Sequence, residues 1–142
     1  MTQFETELGA IRAIVFDTFG TIVDWRTSLI KALEEFGRKT DVEAAWDNLV
    51  DVVFGADLFR HYKPDPETYL GVCDFLGLGP EQVMMGAAHN YDLKAAKALG
   101  LRTAFIPRAT EYGPGQKTDL TAEDAWDIVA VDLVDLAGKL AA

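Results

Sequence analysis

Four apolar residues, Ala13-Ile14-Val15-Phe16, run without a break into Asp17, and Gly20 follows close behind. A short continuous apolar run is what a strand buried on both faces of a parallel sheet requires. An ionised aspartate is rarely buried without partners, so an Asp closing such a strand is expected to face a cleft. In open parallel α/β sheets, ligands bind just beyond the carboxyl ends of the strands. Asp17 is therefore the first candidate for chemistry. The competing reading of the same stretch is a loop aspartate that merely starts a turn.

A chain of 142 residues holds one domain with a real core but is too short for two ordinary ones. Apolar residues at 49% and charged residues at 25% suit a soluble globular protein. A net charge of −10 argues against nucleic acid or an anionic membrane as partner. It also means that an anionic substrate needs local positive charge to approach. The single cysteine, Cys73, excludes an internal disulfide framework and suits a reducing cytosol. Met1–Ala10 is acidic, without the basic start and apolar core of a signal peptide, and no apolar run is long enough to cross a bilayer. A cytoplasmic location is the expectation.

In chain order, Ile11–Phe16 reads as the first strand and 17–26 as its loop. Arg26–Lys39 has Leu29, Ile30, Leu33 and Phe36 at helical spacing, with Gly37 near its end. Thr40–Asn48, polar with Trp46 embedded, reads as a second short helix, Val50–Phe54 as a strand, and 55–57 as a turn. Asp65-Pro66-Glu67 is a strong helix start: Asp as N-cap, Pro at the first helical position, Glu in the first turn. That helix is expected to run through Leu76 and stop at Gly77. Lys63 lies just ahead of it, where anions gather, although a solvated surface lysine is the plainer reading. Val83–Ala87 reads as a strand in which Met84 and Met85 are core filler. His89, Asn90 and Asp92 then supply acid, base and hydrogen-bonding groups at a strand-to-helix turn. A helix closes at Gly100, Arg102–Ile106 is a strand, 107–124 a long polar loop, Asp127–Val131 a last strand and Leu133–Leu140 a closing helix. This alternation is that of a parallel doubly wound α/β domain.

On these residues the chain resembles the haloacid dehalogenase superfamily. Asp17-Thr18-Phe19-Gly20-Thr21 after an apolar strand looks like its first motif, and Ile22-Val23-Asp24-Trp25-Arg26 narrows the resemblance to the 2-haloacid dehalogenase branch. Lys63-Pro64-Asp65-Pro66 matches the third motif. His89-Asn90-Tyr91-Asp92 matches the fourth, in its dehalogenase-like form rather than the Gly-Asp form of phosphatases. The resemblance covers roughly residues 11–39 and 50–140. It implies a Rossmann-like three-layer sandwich with a mostly parallel sheet, one core domain over 1–142, and a short helical insert at 27–49 in place of the family's cap domain.

For the site, the resemblance implies Asp17 as covalent nucleophile, Lys63 beside it, and Asp92 orienting that lysine. Tyr69 matches the dehalogenase pattern and equally reads as a helix aromatic packed in the core. His89 stands where many relatives carry Asn, so a structural histidine is the alternative there. Phosphatase relatives carry a second Asp two residues after the nucleophile, which protonates the leaving group and helps hold magnesium. Here that position is Phe19, which can do neither.

Two family features are missing. Residues 40–49 are too few for a cap domain and a second-motif strand, and no Leu-Ser-Asn-Gly stretch occurs anywhere. Their loss removes substrate hydrogen bonds, weakens the exclusion of water from the site, and leaves sheet edges open.

The implied reaction is hydrolytic dehalogenation of a short, anionic 2-haloacid. Asp17 displaces halide and forms an ester, which water activated near Asp92 or His89 then cleaves. Lys63 keeps Asp17 charged and attracts the substrate carboxylate. Thr21 and the loop of Thr18 and Phe19, through its amides, supply hydrogen bonds, with Tyr69 and Asn90 completing the substrate site. Arg26 reads as a halide or carboxylate contact, or as a solvated residue at a helix start. No metal or other cofactor is implied. Two alternatives stand: a magnesium-dependent phosphatase in which Asp17 and Asp92 share the ion, and a non-catalytic remnant that homodimerises through its exposed edges.

Overall fold

The structure, a computed structural model, describes residues 9–17, 54–109 and 111–141. Its contacts divide the chain into two units, Met1–Asp17 with Phe59–Ala142, and Thr18–Leu58. Within the second unit, Phe54 belongs to no strand, and the Gly55 carbonyl accepts the Leu58 amide at 3.1 Å. That bond opens a one-turn helix, α1 (Ala56–Phe59), where a plain turn was expected. The rest of the strand expected at 50–54, the helices expected within 26–48 and the insert at 27–49 lie outside the described residues.

The first unit is built on parallel strands β1 (Ala13–Phe16), β2 (Val83–Ala87), β3 (Arg102–Phe105) and β4 (Ile128–Val129), in that spatial order. The register pairs Phe16 with Gly86 and Ala87 with Phe105, so the carboxyl ends of the first three strands lie level. Helices α2 (Pro66–Leu76) and α3 (Asn90–Ala98) follow the crossover logic of a parallel sheet, and α4 (Leu133–Leu140) closes the chain's described part.

Alternation along β2 assigns its side chains to two cores. Val83, Met85 and Ala87 pack with Tyr69 and Cys73 of α2, Leu93 and Ala96 of α3, and Phe105 and Trp126. Met84 faces the other way, with Ala104, Ile128, Ala130 and Leu136 of α4. The sheet is thus covered on both faces, helices on one side and α4 on the other, giving the expected three-layer α/β arrangement. β2 is buried throughout, as its unbroken apolar sequence requires. Cys73 is buried in the first core, and burial pushes its thiol up from the ordinary value.

Three local expectations are corrected. β1 is not buried on both faces: Ala13 and Val15 pack into the first core, but Ile14 and Phe16 are 36% and 43% exposed. Among the described strands β1 lies at the sheet edge, and α4 packs on β4 at the opposite edge. Phe16 instead lays its ring across Gly86, where a Cβ would sit 2.8 Å from the ring. The last strand is two residues long rather than five. The Asp127 carboxylate caps the Thr103 amide and hydroxyl, both at 2.8 Å, and the Val131 amide donates to Asp135, which turns the chain into α4. Finally, Asp65 precedes α2 as expected, but its carboxylate makes no cap bond and lies 3.2 Å from His61 Nδ1. Proline at the first position and Gly77 in the left-handed conformation at the end delimit that helix.

Candidate active site

The carboxyl ends of β1 and β2 each deliver one carboxylate. Asp17 follows β1 directly, and its amide donates to the Gly86 carbonyl at 3.0 Å, which fixes its backbone against β2. Asp92 sits in the first turn of α3, immediately after β2. Lys63 reaches both from the segment ahead of α2: Nζ donates to Asp17 Oδ1 at 2.9 Å and to Asp92 Oδ2 at 2.6 Å. The two acids differ in environment. Asp92 is fully buried, whereas the Asp17 side chain is 22% exposed. A buried carboxylate needs its charge paired and its oxygens bonded, and Asp92 meets both conditions. Lys63 holds one oxygen, and Tyr69 of α2 donates its hydroxyl to the other at 2.6 Å.

Tyr69 therefore joins its two sequence readings. Its ring belongs to the core and its hydroxyl to the carboxylate cluster. Burial, reinforced by Asp92, pushes its phenol far above the ordinary value, so it stays a donor.

His89 closes the other side of Asp17. Its Nδ1 lies 3.2 Å from Asp17 Oδ2, and its Nε2 lies 3.0 Å from the Tyr112 hydroxyl and 3.3 Å from Glu111 Oε1. The Tyr91 ring centroid stands 5.6 Å from that of His89. Desolvation and neighbouring carboxylates hold both tyrosine hydroxyls above their ordinary value: Asp92 is the leading charge at Tyr91, Glu111 at Tyr112. Glu111 and Tyr112 come from the polar stretch after β3, which sequence reading treated only as a loop. The available signal was position: that stretch follows a parallel strand's carboxyl end, where ligand-binding loops gather.

Asn90 does not face this cluster. Its Nδ2 donates to Asp119 Oδ1 at 2.9 Å and to the Thr121 carbonyl at 3.0 Å, while Oδ1 accepts from the Glu123 amide and Trp126 Nε1 at 3.0 and 3.1 Å. All four bonds of a carboxamide are taken. The side chain, expected from sequence to contact substrate, pins the 119–126 loop. Asp119, at a positive φ of 57°, also accepts the Asn90 amide at 2.8 Å, a conformation that Asp tolerates better than most residues. Thr18, Phe19, Thr21 and Arg26 lie outside the described residues.

Among the described residues one group has metal-ligand spacing, His61, Asp65 and Glu67, on the surface ahead of α2. Asp17 and Asp92 are bridged by the Lys63 ammonium. No helix among the described residues is long and apolar enough to cross a membrane.

A partly exposed carboxylate fixed between an ammonium and an imidazole can act as a nucleophile toward an electrophile entering from solvent. Comparison with known proteins bears on which electrophile. The family model for haloacid dehalogenase-like hydrolases matches residues 38–106. The crystal structure of an L-2-haloacid dehalogenase aligns with a TM-score of 0.71 and 33% identity, covering 92% of this chain and 99% of that one. (S)-2-haloacid dehalogenase 4A of Burkholderia cepacia is 29% identical over 96 residues, 64% of this chain and 42% of its own length. Phosphoglycolate phosphatase of Salmonella paratyphi A is 37% identical over 62 residues, 44% of this chain and 25% of its own length. The chain spans less than half the length of these curated relatives.

Proposed function

The chain belongs to the haloacid dehalogenase-like hydrolase family, and from that premise we propose that it hydrolyses short 2-haloacids through an ester on Asp17. The observation that carries this reading is the Lys63 bridge. One ammonium ties a buried carboxylate to a partly exposed one, which leaves Asp17 oriented and accessible. In the first step an Asp17 oxygen bonds to the halogen-bearing carbon, and the halide leaves with the electron pair of the broken bond. In the second, water activated beside Asp92 or His89 adds to the ester carbon and releases the 2-hydroxy acid. Lys63 supplies the positive charge that a small anionic substrate needs near a chain of net charge −10. Arg26, Thr21 and the amides after Asp17 are further substrate contacts in this reading.

No metal takes part, because the departing halide is already a stable anion. The donor set supports that view: Lys63 and Tyr69 occupy both oxygens of Asp92, and position 19 is phenylalanine. A magnesium-dependent phosphatase would lack the acid two residues past its nucleophile, a loss of about 10²–10⁴-fold.

The test is halide release from 2-chloropropionate and fluoroacetate, with D17N measured alongside. The expected result is release that persists in EDTA and disappears in D17N. Turnover of phosphate esters that EDTA abolishes would move the reaction to the phosphatase class. A folded chain that acts on neither substrate class would leave the non-catalytic, self-associating reading.

A further inference from the structure

The nitrogen of His89 that points away from Asp17 meets a second carboxylate. Glu111 Oε1 is buried, its side chain is 6% exposed, and among the described residues no hydrogen bond reaches that oxygen. His89 Nε2 stands 3.3 Å from it. A carboxylate oxygen held out of water without a donor is costly, and an N–H on His89 Nε2 is the group placed to relieve it. The groups facing the ring are Asp17 on the Nδ1 side, Glu111 and Tyr112 on the Nε2 side, and Tyr91 beside it. Both ring nitrogens thus confront carboxylate oxygens.

We infer that His89, rather than Asp92, takes the proton of the water that cleaves the Asp17 ester, and that Glu111 is the positioning residue that holds His89 for this task. The inference rests on the dehalogenase reading above. Asp92 is poorly placed to be the base: it is fully buried, and each of its oxygens already accepts a short bond, from Lys63 or from Tyr69. His89 Nδ1, in contrast, lies 3.2 Å from an oxygen of the carboxyl group that becomes the ester.

The chemistry follows from what esterification does to the local charge. When Asp17 bonds to substrate carbon and halide departs, Asp17 loses its negative charge and Nδ1–H loses its anionic acceptor. That proton passes to solvent. Glu111 keeps the remaining proton on Nε2, so the Nδ1 lone pair faces the ester. Water then bonds through oxygen to Asp17 Cγ and gives a proton to Nδ1, with Glu111 countering the imidazolium. The tetrahedral anion collapses, the bond from Cγ to the substrate oxygen breaks, and the departing alkoxide takes the proton from Nδ1. Asp17 is left as the free acid and returns its proton to Nδ1, which restores the starting arrangement. One proton reaches solvent per halide.

The experiment separates the two chemical steps. Rapid mixing with 2-chloropropionate is followed for halide, and intact-protein mass for the ester, in the parent, E111Q, E111D and H89Q. The expected result is a halide burst near one per chain in all four. Steady turnover then falls about 10²–10⁴-fold in H89Q, the contribution of a general base. It falls about 10- to 100-fold in E111Q, the scale seen when an orienting partner is removed, with ester accumulating, and partly recovers in E111D. Ring ¹⁵N spectra of the resting parent are expected to show Nε2 protonated; His61 is the only other histidine, and H61Q assigns the signals. A ring protonated at Nδ1 alone overturns the assignment without any variant. Equal loss of burst and steady rate in E111Q, or unchanged turnover, also overturns it while leaving the dehalogenase reading intact. A parent that releases no halide refutes both.

Discussion

Replacing Asn90 by alanine tests whether this residue is scaffold or substrate contact. The side chain makes four hydrogen bonds to the 119–126 segment, between 2.9 and 3.1 Å long. Each ordinarily contributes about 1 ± 0.5 kcal/mol net, and a charged acceptor such as Asp119 lies at the upper end. Two features limit the loss. The Asn90 amide still donates to Asp119, and the Thr121 carbonyl and Glu123 amide can turn to water. Trp126 Nε1 has less recourse, because the residue is 7% exposed and packed in the first core. The expected cost is about 3–5 kcal/mol, a large share of the roughly 5–15 kcal/mol that stabilises a typical domain. Urea unfolding followed by tryptophan fluorescence measures it as a lowered midpoint. N90D is the sharper control: it keeps the shape but turns an oxygen toward Asp119 Oδ1, and is expected to be at least as unstable as N90A. A folded N90A within about 1 kcal/mol of the parent, with KM raised, would refute the scaffold assignment and restore Asn90 to the substrate site.

Two further outcomes follow from the same geometry. Y69F removes the hydroxyl that donates to buried Asp92 and is expected to cost about 1.5–3 kcal/mol by urea unfolding; an unchanged midpoint would reduce Tyr69 to a core ring. The Asp135 carboxylate is held below its ordinary range by the Lys139 ammonium and the Val131 amide. Its stabilisation is present above the unfolded-state value of about 4 and is lost as pH falls through the lower folded-state value. D135N should therefore trail the parent at neutral pH and converge with it in acid; a gap that persists at low pH would show that the charge is not responsible.

Much of the fold was legible because local chemistry and tertiary demand agree. The apolar run at 83–87 can only be satisfied inside a sheet covered on both faces. Asp65-Pro66 and Gly77 bracket α2 through backbone constraints that need no partner, and Gly100, at a positive φ, ends α3 in the same way. The meeting of Asp17 and Asp92 was also foreseeable, since residues just past parallel strands share one rim. Lys63, ahead of α2, was placed beside them only by the family resemblance. Where two outcomes were locally equal, the sequence could not choose. Ile14 and Phe16 are as apolar as Met84 and Met85, yet β1 ends one side of the described sheet and β2 lies inside it.

The sequence by itself determined the α/β architecture, the family, and which carboxylates stand at the strand ends, because these depend on periodicity and on residues near one another along the chain. Only the tertiary structure decided what Asn90 and His89 face. Asn90 is adjacent to His89 in sequence, but α3 begins between them. One side chain is thereby directed to the 119–126 loop and the other to Asp17 and Glu111. Partners 22 to 72 residues away, at Glu111 and Asp17, become neighbours only through packing, and no local propensity encodes which carboxylate a histidine will meet.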